Sequence, residues 1–344
     1  MKTTPAPALS VNSPKNYNAI DVVKFVCAIL VIFIHIPPIT TPIGGTLSPL
    51  EKTVNFWLQN FLPRLAVPFY FVCSGFLLFR KMPPGKIDTD RVKTFCFKLI
   101  RLFGLWKILL FLGWNGQLWY LSGTVIAVAF VSFCLYRGMD PKWLGIIAGG
   151  LYVLGLLGDS YFGLIKPFVS HGVGKTLYDI YTFFIPRSRN GLFTGTIFIF
   201  MGYRLAQGNI PLKPGPSLAL FGASVPVLFA EVWLLHHFDI PQEHNMYVSL
   251  LPSVYFLFTF AASLPLQDRP IYGRLRTAGV LIYYLHLLVN AMIVFGIGAI
   301  YGVFRTDLMP LHFWITVPAS LIIAFGIEWL SRQEKFRWIK QFIT

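Results

Sequence analysis

The sequence predicts an all-α fold: a polytopic membrane bundle of about ten transmembrane helices, with the N- and C-termini in the cytoplasm. Three observations predict it. Only 12% of the 344 residues are charged and 55% are hydrophobic, whereas a soluble domain carries about a quarter charged residues to cover its surface. Long apolar runs recur from end to end, roughly at 19–39, 61–79, 95–113, 118–136, 143–158, 191–206, 217–236, 246–264, 278–300 and 311–330, each near the ~20 residues a bilayer requires. Lys and Arg lie between these runs. With the N-terminus inside, about 21 of the 29 Lys and Arg fall at cytoplasmic ends and about 7 outside, as the positive-inside rule demands.

Residues 1–16 are polar and Pro-rich and read as a flexible cytoplasmic tail. The rest, 17–344, reads as a single transmembrane domain. The first run, Ala19 to Ile39, is longer than a signal-peptide core and leads into Pro37-Pro38 without a small-residue cleavage pattern, so it is a retained first span. The fifth and sixth runs are short. The net charge of +15 is topological in this setting and gives no reason to expect nucleic acid. Its densest block, between the second and third runs, holds Arg80, Lys81, Lys86, Arg91, Lys93, Lys98 and Arg101 against Asp88 and Asp90. Cys27, Cys73, Cys96 and Cys134 sit in apolar runs without ligand spacing and read as small hydrophobes. Gly pairs four apart (145/149, 191/195, 298/302) fit close helix packing.

Charged groups in hydrocarbon cost at least ~2.5–3.5 kcal/mol, so those present point to a site. On the first run, Asp21, Lys24, Ala28, Val31 and His35 form one helical stripe, with Lys24 and His35 eleven residues and about 16 Å apart. Small residues between the polar ends leave room for a slender molecule. Arg64, among Pro63, Pro68 and Gly75, marks a broken helix at the level of His35. Trp119, Tyr120, Arg189, Asn190 and Glu231 converge on the same level, Lys107 is a candidate ion partner for Glu231, and His286 lies nearer the centre of the ninth run. Each has a structural alternative: interhelical hydrogen bonding, snorkelling, or an aromatic belt. The segment His237–Asn245, HFDIPQEHN, reads as a wet external loop. Its spacing fits no metal motif, and no metal site is expected. No Walker loop, GxGxxG or GxSxG occurs, which removes support for ATP-driven transport and hydrolase-fold chemistry.

IDVVKFVCAILVIFIH followed by PRLAVPFYFVCSGFLLF resembles the opening of acyltransferase family 3, the transmembrane acyltransferases. GQLWYLSG, PRSRNGLFTGTIFIFMGYRLA and IYYLHLLV extend the resemblance, in order, to about residue 290. The resemblance implies a multi-pass protein of the bacterial cytoplasmic (inner) membrane. It would move a short acyl group, commonly acetyl, from cytoplasmic acyl-CoA to a hydroxyl of a surface glycan, an exopolysaccharide or a lipid-linked sugar precursor. Acetyl-CoA or another short acyl-CoA is then a co-substrate, with no tightly bound cofactor. His35 and Arg64 become the catalytic pair. Lys24, Arg80, Lys81, Arg91, Lys93, Lys98 and Arg101 become the CoA-binding set, and Trp119, Tyr120, Arg189, Asn190, Glu231 and His286 the substrate-binding set. The family's basic residue eleven before the His is often Arg; here it is Lys24, a point charge without a planar fork. Lys-type relatives include proteins fused to amino-acid racemase domains. The alternative class is a permease for a small polar metabolite such as an amino acid, without covalent chemistry, where intramembrane charges are equally at home.

Overall fold

The apolar runs fold into helices because a backbone in hydrocarbon has to satisfy its own hydrogen bonds. In the computed structural model, which describes residues 17–41, 45–110, 118–185, 187–208, 210–301 and 310–343, no strand occurs among the described residues. The helices are α1 (Asn18–His35), α2 (Pro49–Asn60), α3 (Ala66–Phe79), α4 (Thr89–Leu109), α5 (Trp119–Tyr136), α6 (Pro141–Leu157), α7 (Phe162–Val169), α8 (Gly172–Phe184), α9 (Thr196–Gln207), α10 (Pro214–His237), α11 (Leu250–Ser263), α12 (Pro270–Tyr301) and α13 (His312–Leu330). Short 3-10 segments span Leu62–Leu65 and Glu334–Phe342, and a π-turn spans Gly191–Gly195. The tail 1–16, Gly116-Gln117 of the GQLWYLSG motif and Gly302 lie outside the described residues.

Six segments are long and apolar enough to cross a bilayer: α1, the broken helix Pro49–Phe79, α5, α10, the stretch 270–296 of α12, and α13. The pair α6 and α7, bent by 70°, would be a seventh. The other expected spans are also helical but differ in kind. Helix α4 carries Arg91, Lys93, Lys98, Arg101 and Lys107 along its length. Helices α9 and α11 have 12 and 14 residues. Such short pieces are tolerated at membrane depth when protein surrounds them, and Phe198, Ile199, Val254 and Phe258 are fully buried. By contrast α10 leaves Val227, Phe229, Trp233 and Leu234 exposed, as a lipid-facing helix does.

The main core joins α3, α5, α9 and α11 around Phe69, Phe71, Val72, Phe198 and Phe258. A second cluster of Ala28, Ile32, Ala278, Ile282 and Phe313 holds α1, α12 and α13 together. At one end Arg276 clamps Asp21 through two hydrogen bonds of 2.9 and 2.6 Å, tying α12 to α1 near the basic block. One expectation needs correction: Ala28 and Val31 leave no channel along α1, because both are fully buried in packing against neighbouring helices.

Candidate functional site

Two broken helices create the first cavity. Pro63 sits in the 3-10 turn Leu62–Leu65, and Pro68 has no N–H to give the Arg64 carbonyl. Arg64 therefore stands on an irregular turn at the start of α3. Arg189 stands just before the π-turn that opens α9, where the Asn190 side chain caps the N–H groups of Leu192 and Phe193 at 2.9 Å each. Helices α3 and α9 run parallel: Phe71 packs at Gly195, Gly75 at Ile199 and Phe79 at Tyr203. Continued backwards, that register puts Arg64 beside Arg189. The approach depends on Gly75, where a Cβ would come within 2.5 Å of the Ile199 carbonyl oxygen.

Asn245 joins the two arginines. Its Oδ1 accepts from Arg64 Nη1 at 2.7 Å and from Arg189 Nη1 at 3.0 Å. Its amide donates to Asp159 Oδ2 at 2.9 Å and Glu243 Oε2 at 2.6 Å. Asp159, itself buried, also accepts the backbone N–H groups of Asn245 and Met246, which fixes the loop. Arg64 also donates to Asn60, and Arg189 lies over the Trp119 ring at 5.2 Å. Arg64, Arg189, Trp119, Asn245, Thr194 and His35 line a cavity of about 30 Å³, room for a few atoms and not for a sugar ring.

His35 adds an imidazole to this cavity. Its Nδ1 is 2.9 Å from the Val31 carbonyl; a carbonyl only accepts, so Nδ1 carries the proton and Nε2 keeps its lone pair. The His286 ring is 5.2 Å away, centroid to centroid. His286 is fully buried, its Nδ1 is tied to the carbonyls of Ile282 and Tyr283, and its Nε2 has no hydrogen-bond partner.

The second cavity is larger, about 770 Å³, within the size range of small-molecule sites. Its walls come from α1, α3, α4, α5 and α12, with Ile343 at the rim. Leu77, Phe95, Leu99, Leu102 and Val280 make it mainly apolar, while Lys24, Lys81, Arg91, Lys98 and Arg276 make one end basic. Arg91 is shared with Asp88 at 3.5 Å and Arg276 with Asp21. Lys24, Lys81 and Lys98 have no ion-pair partner among the described residues. Tyr70, Tyr120 and Tyr283 complete the lining. The Tyr70 hydroxyl donates to the Lys24 carbonyl at 2.7 Å, and Tyr120 and Ser74 share a 2.9 Å hydrogen bond. Next along the same helices come the residues of the small cavity: His35 on α1, Val67 and Pro68 on α3, and Trp119 on α5.

Of the residues expected at the site, His35, Arg64, Trp119 and Arg189 line one cavity and Lys24, Lys81, Arg91, Lys98 and Tyr120 the other. His286 abuts His35. Arg80, over the Tyr17 ring, Lys93, beside Asp90, and Arg101 do not line the large cavity. Asn190 is a cap. Glu231 and Lys107 do not pair: Glu231 accepts from Tyr161, from the Val248 and Ser249 N–H groups and from the Ser249 hydroxyl, and Lys107 lies 5.9 Å from the Phe103 ring. A carboxylate held by two backbone donors secures the start of α11. His236 and His244 pack against Phe56, and among the described residues no group of three His, Cys, Asp or Glu is placed to hold a metal. Asn245, Asp159, Asn60 and Tyr70 were absent from the expected set. Asn245 closes the segment taken as a wet loop, yet it is part-buried at the centre of the network. Nothing local in a sequence marks an amide as a hub between distant helices.

Residues 17–106 match the family model of the acyltransferase domain. The chain is 28% identical over 269 residues to an amino-acid racemase of Enterococcus faecalis, covering 71% of this chain and 35% of that protein. It is 26% identical over 269 residues to a serine/alanine racemase of Enterococcus gallinarum, covering 70% of this chain and 36% of that protein. The chain thus spans about a third of the length of the curated relatives it matches. No solved structure matches it.

Proposed function

Starting from the acyltransferase-domain match over residues 17–106, we propose that this membrane protein transfers a short acyl group, acetyl in the simplest case, from acyl-CoA to a hydroxyl on the far side of the bilayer. The basic end of the large cavity is read as cytoplasmic. The observation that carries the proposal is the succession of two cavities along α1: unpaired Lys24 lines the first and His35, eleven residues on, the second. A helix rise puts about 16 Å between them, the order of a pantetheine arm. Lys81, Lys98 and Lys24 attract the CoA phosphates. The apolar wall takes the arm, and the acyl end passes Tyr70, Tyr120 and Tyr283 to reach His35.

At His35 the free Nε2 takes the acceptor hydroxyl proton as its oxygen attacks the thioester carbonyl. Arg64 faces the resulting oxyanion. The C–S bond then breaks, and the imidazolium returns the proton to the CoA thiolate. An acyl-His35 intermediate is the two-step variant of the same exchange. The acceptor class follows the resemblance: a glycan or its lipid-linked precursor. The relatives' names, amino-acid racemase and serine/alanine racemase, make an amino-acid-related acceptor the second candidate.

Two measurements test this. Acetyl-CoA is expected to raise the melting temperature of the purified protein, whereas a permease without covalent chemistry would be indifferent to it. His35→Ala is expected to keep that stabilisation while losing acyl transfer by about 10²–10⁴-fold. Wild-type transfer rates in that variant would sink the role of His35. Radiolabel on His35 after acetyl-CoA alone would select the two-step route.

A further inference from the structure

Proximity of Arg64 and Arg189 has a cost that one transient oxyanion does not explain. Two like charges held against one amide oxygen repel, and more strongly away from water. The Nε–H of each arginine is buried and has no hydrogen-bond partner. Neither guanidinium is in an ion pair among the described residues. The nearest carboxylates, Asp159 and Glu243, are held on the other side of Asn245 by its amide. They offset the charge at one remove and leave donors unused. A single guanidinium serves a developing oxyanion, but two lining one small cavity suit a standing one. Arg forks match planar carboxylates and tetrahedral phosphates. The cavity's 30 Å³ admits the oxygen end of a small oxyanion and keeps a larger body outside.

We propose that Arg64 and Arg189 form an anion receptor, and that the acceptor is a hydroxyl compound bearing a carboxylate or phosphate within a few bonds of the hydroxyl. The word acceptor rests on the acyl-transfer reading; the anion receptor does not. Asn245 positions the pair and Trp119 supports Arg189 from beneath. The occupied anion brings its neighbouring hydroxyl to His35, on the wall of the same cavity.

The test is a thermal-shift titration of the full chain in lipid nanodiscs. Lactate is compared with its neutral isostere lactamide, and glycerol 3-phosphate with glycerol. One anion is expected to stabilise with at least 10-fold lower half-saturation than its neutral partner; which one does so distinguishes carboxylate from phosphate. Arg189→Gln is expected to remove that preference, and Arg189→Lys to retain part of it. Arg187→Gln, which deletes the same charge from an exposed position two residues away, is expected to leave it intact. A cooperative melting transition without ligand, at a temperature close to that of the unsubstituted protein, serves as the check that each variant is folded. Equal response to anion and neutral partner in both series, with acetyl-CoA still stabilising, overturns the receptor and spares the acyl-transfer reading. Anion preference lost only in the Arg189 variants, without any response to acetyl-CoA, supports the receptor and counts against acyl transfer.

Discussion

The two cavities handle charge in opposite ways. In the large one, cations stand on α1, α4 and α12 and just past α3, and most are exposed. In the small one, two cations are half-buried, fixed by a single amide oxygen and balanced through it by two carboxylates. The first is a field and tolerates rearrangement of its parts. The second is a network of hydrogen bonds that meets at the Asn245 amide, so loss of one member leaves others unsatisfied. The difference teaches which substitutions should be graded and which abrupt.

The abrupt case is Arg64→Lys. It keeps the charge but cannot reach Asn60 and Asn245 together while facing the cavity. We expect transfer to fall roughly 10²–10³-fold, the usual effect of losing an oxyanion donor, with acetyl-CoA stabilisation retained. A loss of less than tenfold would mean that charge alone suffices there. The graded case is Lys98→Gln. Exposed charges act weakly and are screened over about 8 Å in physiological salt, so we expect the KM for acyl-CoA to rise several-fold, less at high salt, with kcat unchanged. An effect insensitive to salt would point to a specific contact instead.

Gly75→Ala probes the scaffold that joins the arginines. The added Cβ meets a backbone carbonyl, and overpacking of this kind costs about 1–3 kcal/mol. We expect a lower melting temperature and weaker transfer together. Unchanged stability would show that the α3–α9 crossing can relax. The smallest expected effect lies at His244, in the loop beside Asn245. Burial first, then Arg64 and His236, hold its pKa down to about 4 from the ordinary 6.5. The folded protein therefore binds fewer protons there than the unfolded chain, and stability falls as pH drops from about 6.5 towards 4. His244→Gln is expected to flatten that part of the acid limb of a melting-temperature profile; an unaltered profile would place the limb elsewhere.

Much of this was legible in the sequence. Apolar runs located the helices to within a few residues at α5 and α13, because length and composition are local properties. The intramembrane polar residues His35 and Arg64 stood out by cost alone. Helix count was less legible: α9 and α11 read as spans by composition, but a π-turn takes up Gly191–Gly195 ahead of α9 and α11 starts only at Leu250, which leaves 12 and 14 residues. Pairing was least legible. Glu231 and Lys107 lay at similar depth, yet depth says nothing about the direction in which a side chain leaves the bundle.

By itself, then, the sequence determined a helical membrane protein with a basic block, a polar side chain at His35 and a break at Arg64, since each follows from hydropathy, charge bias or the chemistry of proline. Only the tertiary structure decided that Arg64 and Arg189 share Asn245, that His286 abuts His35, and that Lys24 and three tyrosines line one cavity while His35 lines another. These depend on the parallel register of α3 and α9 and on which faces of α1 and α12 meet. Contacts between helices far apart in the chain are fixed by packing geometry, and no stretch of sequence carries that geometry alone.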